Sequence, residues 1–445
     1  MSSQDLLPGR IETLNEEQEL KLKQVWAYLF HFWDVPVNSS KVLTHNDGAL
    51  RRNGTSSSSS TATSESTAKK AGSKLFGRFR RSNNTEKKEA SKPTSRLSRA
   101  SSVTSTRSRE SIEAAYASNT VHDALKELKP EEIKSNLWSM LRVDYPDNLL
   151  LRFLRARKWD TDKTLNMLAY SLRWRLKEAN PDDVIRRGEL GAYEDKKSGY
   201  IKNIELRKAV IHGYDRLGHP IVYVRPRKHL SSDQTEEEMQ QYSLLIIEQA
   251  RLFLKEPTDA ATILFDLSGF TMSNMDYAPV KHLISCFEAH YPECLGKLFI
   301  HKAPWIFPPI WNIIKNWLDP VVASKIVFTK TAKDLAEYVP EKYIPKSLGG
   351  ECDYDYDDYE KPDGSLDTKL TKKDELKEVL NERNALVDQF IQATVSWIEA
   401  TDDKSNAKWL TAKIDLGKQL TDNYIKLDPY VRSRSFYEYE GTLSL

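Results

Sequence analysis

The chain has 445 residues, a formal net charge of +2, 39% apolar residues and a mean hydropathy of −0.59. This composition is typical of a soluble globular protein, and the absence of any run of about 18 apolar residues excludes a membrane-spanning helix. The N-terminus is acidic and mixed, which excludes a secretory signal peptide. The three cysteines lack metal or disulfide spacing, so we expect a reducing, cytoplasmic location.

Residues 1–36 form the first predicted unit, an amphipathic helix over 13–36. Apolar side chains recur at helical spacing along it, at Leu22, Trp26, Leu29 and Trp33. A stripe of this kind favours docking on the main domain. Its aromatic residues leave a second reading open, contact with a membrane or a protein partner.

Residues 37–115 are predicted to be a disordered linker, because serine, threonine, lysine and arginine dominate. Lysine and arginine number 16 here, against 6 aspartate and glutamate residues. The tract is either a solvated linker with phosphorylation sites or a basic segment that contacts anionic lipid, where each cation contributes about 1 kcal/mol.

Residues 116–190 are predicted to be a helical subdomain. We expect Asp147 to cap a helix that carries Leu150, Phe153 and Leu154 on one face. A second helix should follow Asp160.

Residues 191–355 alternate strand and helix patterns, which predicts an α/β domain with a mostly parallel sheet. A hairpin-like turn separates residues 210–211 from the strand 220–224, and a capping box at residues 235–238 opens a helix through Leu254. Residues 263–267, 298–300 and 326–328 form further predicted strands. Residues 356–445 should add a C-terminal α-hairpin and tail. We expect this hairpin to pack on the domain, with a separate partner-binding arm as the alternative.

Residues 303–320 are nearly all apolar, and Lys315 is their only cation. A helix starting near Pro309 would be apolar most of the way round, so it is either a core helix or one that faces lipid. Tryptophans favour a membrane interface and the flanking prolines allow a hinge, so we predict a gating helix over a cavity. The residues assigned to gating and membrane contact are Trp305, Ile306, Phe307, Ile310, Trp311, Ile314, Trp317 and Leu318.

Motifs of enzymes are absent from the sequence. It contains no phosphate loop, dinucleotide fingerprint, nucleophile elbow or H-E-x-x-H motif, and its histidines are scattered. Asp266 follows a strand but has no partner acid or nucleophile nearby, so we interpret it as a turn residue. We therefore expect a protein that is not an enzyme and needs no metal or cofactor.

A gated cavity would suit a phospholipid, which needs an apolar tunnel for its acyl chains and cations for its phosphate. An inositol ring adds hydroxyls that call for a carboxylate. The charged candidates at the edges of apolar segments are Arg157, Lys158, Glu293 and Lys325, although spacing alone does not select them.

Five short motifs resemble the CRAL-TRIO lipid-binding family, specifically fungal phosphatidylinositol transfer proteins. They are residues 150–159 (LLRFLRARKW), 291–293 (YPE), 318–320 (LDP), 324–326 (SKI) and 348–350 (LGG), in the family's order. The flanking segments resemble one yeast member. The resemblance implies a helical N-terminal subdomain, a lipid-binding domain with a gated pocket, and inositol-phosphate contacts at Lys158, Glu293 and Lys325 with Arg157 as neighbour. Each of these could instead be an ordinary surface or terminal charge.

Members of the family that also exchange phosphatidylcholine place hydroxyl residues around choline. The corresponding residues here are Val222, Ala261 and Ile263, and Val322 replaces a threonine at the phosphate. The resemblance therefore implies phosphatidylinositol as one ligand and, instead of phosphatidylcholine, a second ligand of low polarity such as a sterol or squalene.

We expect a monomeric carrier that contacts membranes transiently, binds no nucleic acid and supplies phosphoinositide kinases. Microsomes, endosomes and lipid droplets are the candidate membranes. The alternative is a lipid-regulated sensor or scaffold that recruits protein partners.

Overall fold

The computed structural model describes residues 7–43 and 122–445. The predicted linker beyond residue 43 lies outside the described residues. The helices before the sheet are α1 (Glu16–Phe32), α2 (Asp123–Lys126), α3 (Pro130–Met140), α4 (Pro146–Ala156), α5 (Thr161–Trp174), α6 (Pro181–Glu194) and α7 (Ser198–Glu205). Within the described ranges, no helix combines the length and apolar character needed to cross a bilayer.

The sheet carries its strands in chain order: β1 (Ala209–Tyr214), β2 (Pro220–Val224), β3 (Ala261–Asp266), β4 (Leu295–His301) and β5 (Ile326–Thr329). Strands β1 and β2 form the predicted antiparallel hairpin, and the remaining pairs are parallel. The connections carry α8 (Glu236–Leu252), α9 (Tyr277–Ser285), α10 (Phe307–Ile314) and α11 (Pro320–Ser324). The mostly parallel α/β fold predicted from the sequence is confirmed.

Each face of the sheet packs against a different part of the protein. Ile221, Leu264 and Phe299 lie in a core with residues 332–348, which include α12 (Ala332–Ala336). Their chain neighbours Val222 and Ile263 point to the opposite face and line a cavity. Successive side chains of a strand point to opposite faces of the sheet, and both faces here are apolar. The strands are therefore continuous apolar runs.

Helix α1 is buried in a helical core, so the membrane reading of its aromatic stripe is wrong. Trp26 and Phe30 are inaccessible to solvent, and α1 contacts α4, α5 and the C-terminal α13 (Lys373–Glu399). Residues 37–43 of the predicted linker pack on the helical core, because Ser39 and Val42 are buried and the carbonyl of Val42 accepts a hydrogen bond from α1.

The C-terminal hairpin consists of α13 and α14 (Asp403–Val431), and α15 (Phe436–Tyr439) follows. The hairpin joins the same helical core through Phe390, Trp397 and Leu420. Its packing beside α1 follows from the aromatic and aliphatic residues at helical spacing on its inner face.

Asp147 does not cap α4, which corrects the sequence prediction. The cap position is Tyr145, with Pro146 as the first helical residue. The carboxylate of Asp147 is buried and accepts hydrogen bonds from Trp26 Nε1 at 2.7 Å and from Lys413 Nζ at 2.9 Å. Asp160, in contrast, caps α5 as predicted.

Candidate functional site

A cavity of about 280 Å³ lies between the sheet and helices α8 to α10. Its wall is built from alternating residues of the strands, such as Val224, Phe265 and Leu298, and from apolar residues of the helices. Protein interiors are normally packed almost without voids. A void of this size in an apolar interior therefore indicates space for an apolar ligand rather than for water.

The four residues that lack the family's hydroxyl groups all line this cavity. They are Val222, Ala261, Ile263 and Val322. Val222 and Ile263 are partners in the β2–β3 ladder, so their side chains lie side by side on the cavity wall. This part of the wall is therefore entirely aliphatic.

Glu293 and Lys325 lie together at the amino ends of two neighbouring strands. Glu293 precedes β4 and Lys325 precedes β5, and the two strands pair in parallel. The Lys325 ammonium nitrogen is 3.7 Å from a Glu293 carboxylate oxygen and donates to the carbonyl of Leu295 at 2.8 Å. Leu295 lines the cavity, so the half-buried pair lies beside the cavity wall.

Arg157 and Lys158 follow the end of α4, and the Arg157 guanidinium donates to the carbonyl of Ala156 at 3.5 Å. Lys158 is exposed and takes part in none of the ion pairs that the structure describes. Arg155 of α4, which the sequence prediction missed, interacts electrostatically with Glu293. Arg155 donates to Gly9 O and to Asp259, and these two hydrogen bonds hold it in place.

The backbone is unusual at two of the predicted headgroup residues. Lys158 has a φ of 53° and Glu293 a φ of 55°, both in the left-handed region that residues other than glycine rarely adopt. Conformations of this kind cost free energy and concentrate at functional sites. Six other non-glycine residues of the described ranges share this conformation, so it accompanies the two predicted residues without selecting them.

Segment 303–320 covers the cavity opposite the sheet. Its helix begins at Phe307, two residues before the predicted start, and continues as a 3₁₀ turn through Trp317. Five residues of the segment line the cavity, namely Phe307, Ile310, Trp311, Ile314 and Leu318. Ile306 packs against the apolar cluster that contains Phe307 and Ile310. In contrast, Trp305 is 90% exposed and Ile313 is 45% exposed. The segment is therefore apolar both towards the cavity and towards solvent.

Trp317, one of the residues assigned to gating and membrane contact, does not line the cavity. It stacks edge-on against Tyr277 of α9 with ring centroids 5.5 Å apart, and the Lys281 ammonium lies 4.8 Å from its ring. The backbone N–H of Asp319 donates to Glu288 Oε1 at 3.0 Å. These contacts join segment 303–320 to the helix on the far side of the opening.

The opposite end of the cavity carries a polar cluster that the sequence prediction missed. The cluster consists of Lys208, His229 and Asp276, which all line the cavity. It lies near the carboxyl end of β2, because the backbone N–H of Arg225, the residue after that strand, donates to the carbonyl of Lys208. His229 Nε2 is 3.2 Å from Asp276 Oδ2, and Lys208 Nζ is 3.4 Å from His229 Nδ1. The cavity thus has a charged group at each end of the strands.

A buried ionic network holds the back wall of the cavity. Glu248 of α8 is inaccessible to solvent and accepts hydrogen bonds from Tyr291, at 2.7 Å, and from Arg251. Arg142 and Arg175 also contact this carboxylate and share Asp182 as a second partner. Although burial alone would raise it, these guanidinium groups hold the pKa of Glu248 well below its usual range.

Two protein-family descriptions match this chain. The CRAL/TRIO domain description matches residues 204–350, and the CRAL/TRIO N-terminal domain description matches residues 117–169. Sfh5, a solved structure, is 17% identical with a TM-score of 0.42, covering 56% of this chain and 90% of its own.

Two fungal relatives extend over nearly the whole chain. A phosphatidylinositol transfer protein, CSR1, of Eremothecium gossypii is 54% identical over 100% of both chains. A CRAL-TRIO domain-containing protein of Schizosaccharomyces pombe is 35% identical over 98% of this chain and 92% of its own. Together with the matched domains, these identities show that the chain belongs to the CRAL-TRIO family of lipid-binding proteins.

Proposed function

We propose that this chain is a non-enzymatic phosphatidylinositol transfer protein, which encloses one lipid molecule and exchanges it between membranes. The observation that carries the proposal is an apolar cavity with the Lys325–Glu293 pair beside its wall. The relative that is 54% identical is named as a phosphatidylinositol transfer protein, which supports the same assignment.

The chemistry of the two environments matches the two parts of the lipid. Acyl chains in the cavity gain about 0.8 kcal/mol for each buried CH₂ group. The phosphate would pair with Lys325, and Arg157 and Lys158 would approach it from the end of α4. The carboxylate of Glu293 would accept hydrogen bonds from inositol hydroxyls, which suits its position 3.7 Å from Lys325.

Segment 303–320 would act as the gate. Its outward apolar residues, above all Trp305 and Ile313, suit insertion into the membrane interface. Insertion would offer Trp317 an apolar environment in place of its contact with Tyr277, and this exchange would open the cavity. The lipid would then leave directly into the bilayer without crossing water.

Lipid mass spectrometry of the purified protein and a vesicle transfer assay test the proposal. Lys325→Ala should abolish phosphatidylinositol transfer, because the phosphate would be left without its cation at the rim. Lys330→Ala removes an exposed lysine five residues away and should leave transfer unchanged. Retained transfer in Lys325→Ala would reject the headgroup assignment, and absence of bound phosphatidylinositol from the wild type would reject the function.

The second ligand would be of low polarity. The aliphatic wall at Val222, Ala261, Ile263 and Val322 offers no polar oxygen atom to the choline cation, so a sterol or a squalene-like isoprenoid fits better than phosphatidylcholine. Supply of phosphatidylinositol to phosphoinositide kinases would follow from transfer by a monomeric, cytoplasmic protein that binds membranes only transiently. Packing of α1 and the C-terminal hairpin in one core leaves neither free as a recruiting arm, which disfavours the scaffold alternative.

A further inference from the structure

The carboxyl end of the cavity holds a lysine whose charge has no anionic partner close by. Lys208 is only 4% exposed, and its ammonium donates to Gln234 Oε1 at 2.9 Å. Within residues 7–43 and 122–445, no carboxylate lies within 4.0 Å of this nitrogen. A buried ammonium without an anion is strongly unfavourable, so the site calls for one.

The neighbouring carboxylates are engaged by other groups. Asp233 pairs with Lys202 at 2.7 Å, and Asp276 contacts His229 at 3.2 Å. Burial lowers the pKa of Lys208 to about 8, and the charges of Asp233 and Asp276 only partly offset this effect. The ammonium therefore remains charged at neutral pH, next to an apolar cavity.

The position of Lys208 also fixes the direction of a ligand. Lys208 lies at the carboxyl end of the strands, whereas Glu293 and Lys325 precede β4 and β5 at their amino ends. The intervening strand β3 has six residues and spans about 17 Å at ~3.3 Å per residue. The wall between the two ends is apolar, through residues such as Ile263 and Phe265.

We propose that this end of the cavity is a subsite for the carboxylate of a long-chain fatty acid, with Lys208 as its cation and the hydrocarbon chain lying along the sheet. The inference rests on the proposed function in one respect, that the cavity holds lipid chains. It adds an acidic amphiphile to the low-polarity ligands named above, because a sterol or squalene brings no anion to Lys208.

Two probes that differ only in their polar end test the subsite: oleate and oleyl alcohol, each below its micellar concentration. Wild-type protein should bind oleate roughly tenfold or more tightly than the alcohol, as expected for a charged hydrogen bond in place of a neutral one. This preference should fall as the pH rises from 7 to 9, since Lys208 then loses its proton. Other titratable groups also face the Lys208 nitrogen and could alter binding as the pH changes, namely His229, Lys202, Asp233 and Asp276. The assay therefore compares each variant with wild type at every pH.

Lys208→Met should remove the preference, and Lys208→Arg should retain it. Lys330→Met serves as a matched control with one surface charge fewer. An unchanged preference for oleate in Lys208→Met overturns the subsite. Equal binding of the two probes by the wild type also overturns it, and this measurement does not depend on the folding of a variant. Binding of oleoyl lysophosphatidic acid but not oleate overturns the carboxylate assignment. Loss of phosphatidylinositol transfer in the wild type would instead reject the proposed function, so the two failures are distinct.

Discussion

Replacing Lys413 with methionine tests the ionic contact that ties the C-terminal hairpin to the helical core. The Lys413 ammonium is 0% exposed, lies 2.9 Å from Asp147 and stands 3.8 Å from the centre of the Trp397 ring. In Lys413→Met the carboxylate of Asp147 stays buried, with Trp26 Nε1 as its remaining donor. Removing one partner of a buried ion pair typically costs about 3–5 kcal/mol.

Urea denaturation at pH 7, followed by circular dichroism, measures this loss as a decrease in the free energy of unfolding. Lys408→Met is the matched control: Lys408 lies on the same helix, 4.7 Å from the ring of Trp409, but at the exposed surface. The control should cost less than about 1 kcal/mol. A Lys413→Met protein within 1 kcal/mol of wild type would show that the pair adds no net stability.

The pH dependence of the free energy of unfolding tests the buried Lys413 ammonium in a second, independent way. Burial lowers the pKa of Lys413 from 10.5 to about 8. Between these two values the unfolded chain binds more protons than the folded protein, so the free energy of unfolding rises with pH across this window. At about 1.4 kcal/mol per pKa unit, the full rise is about 3 kcal/mol. The difference between wild type and Lys413→Met should therefore grow from pH 8 to pH 10, and a difference that stays constant would contradict the buried, titrating ammonium.

Two further predictions concern the gate and the cavity wall. Trp317→Ala removes the aromatic contact across the opening, worth about 0.5–1.5 kcal/mol, so release of a fluorescent phosphatidylinositol in stopped-flow assays should accelerate about two- to tenfold. Trp305→Ala, at a fully exposed position, should leave release in solution unchanged and weaken vesicle binding; equal release rates for Trp317→Ala and wild type would exclude this contact as a latch. The triple variant Val222→Tyr, Ala261→Ser and Ile263→Thr restores hydroxyl groups on the wall, so it should gain phosphatidylcholine transfer between vesicles. A folded triple variant that still transfers only phosphatidylinositol would show that these positions do not select the headgroup.

The sheet was predictable because its signals are local. Apolar runs of four to six residues, a turn at residues 215–218 and a capping box at Thr235 each report on adjacent residues. The order of short motifs then identified the family, and with it the pair Glu293 and Lys325. These residues precede neighbouring parallel strands, so the topology brings them within 3.7 Å of each other.

The remaining errors concern residues whose partners are distant in the chain. Asp147 has the local pattern of a helix cap, but its partners Trp26 and Lys413 lie 121 and 266 residues away. Arg155 was missed for a related reason: Gly9 and Asp259 hold it in place, and neither is visible from the sequence around α4. Lys208 shows the same limit, because only the fold brings it beside the cavity.

A cavity lacks the packing contacts of a filled interior, so the polar contacts around it contribute more to holding its walls together. These contacts differ in strength between the two sides of this cavity. The back wall is held by the Glu248 carboxylate, which Tyr291 and Arg251 contact from the cavity side. On the opposite side, Trp317 of segment 303–320 contacts Tyr277 and Lys281 of α9, and one hydrogen bond joins the segment to Glu288 in the helical turn after α9. Breaking the buried network would leave buried charges without partners, which costs much free energy. Separating the contacts of Trp317 costs less, because it only exposes an aromatic ring. The difference in free energy between these two sides favours segment 303–320 as the side that opens, in line with the gate proposed above, whose apolar outer surface would meet a membrane.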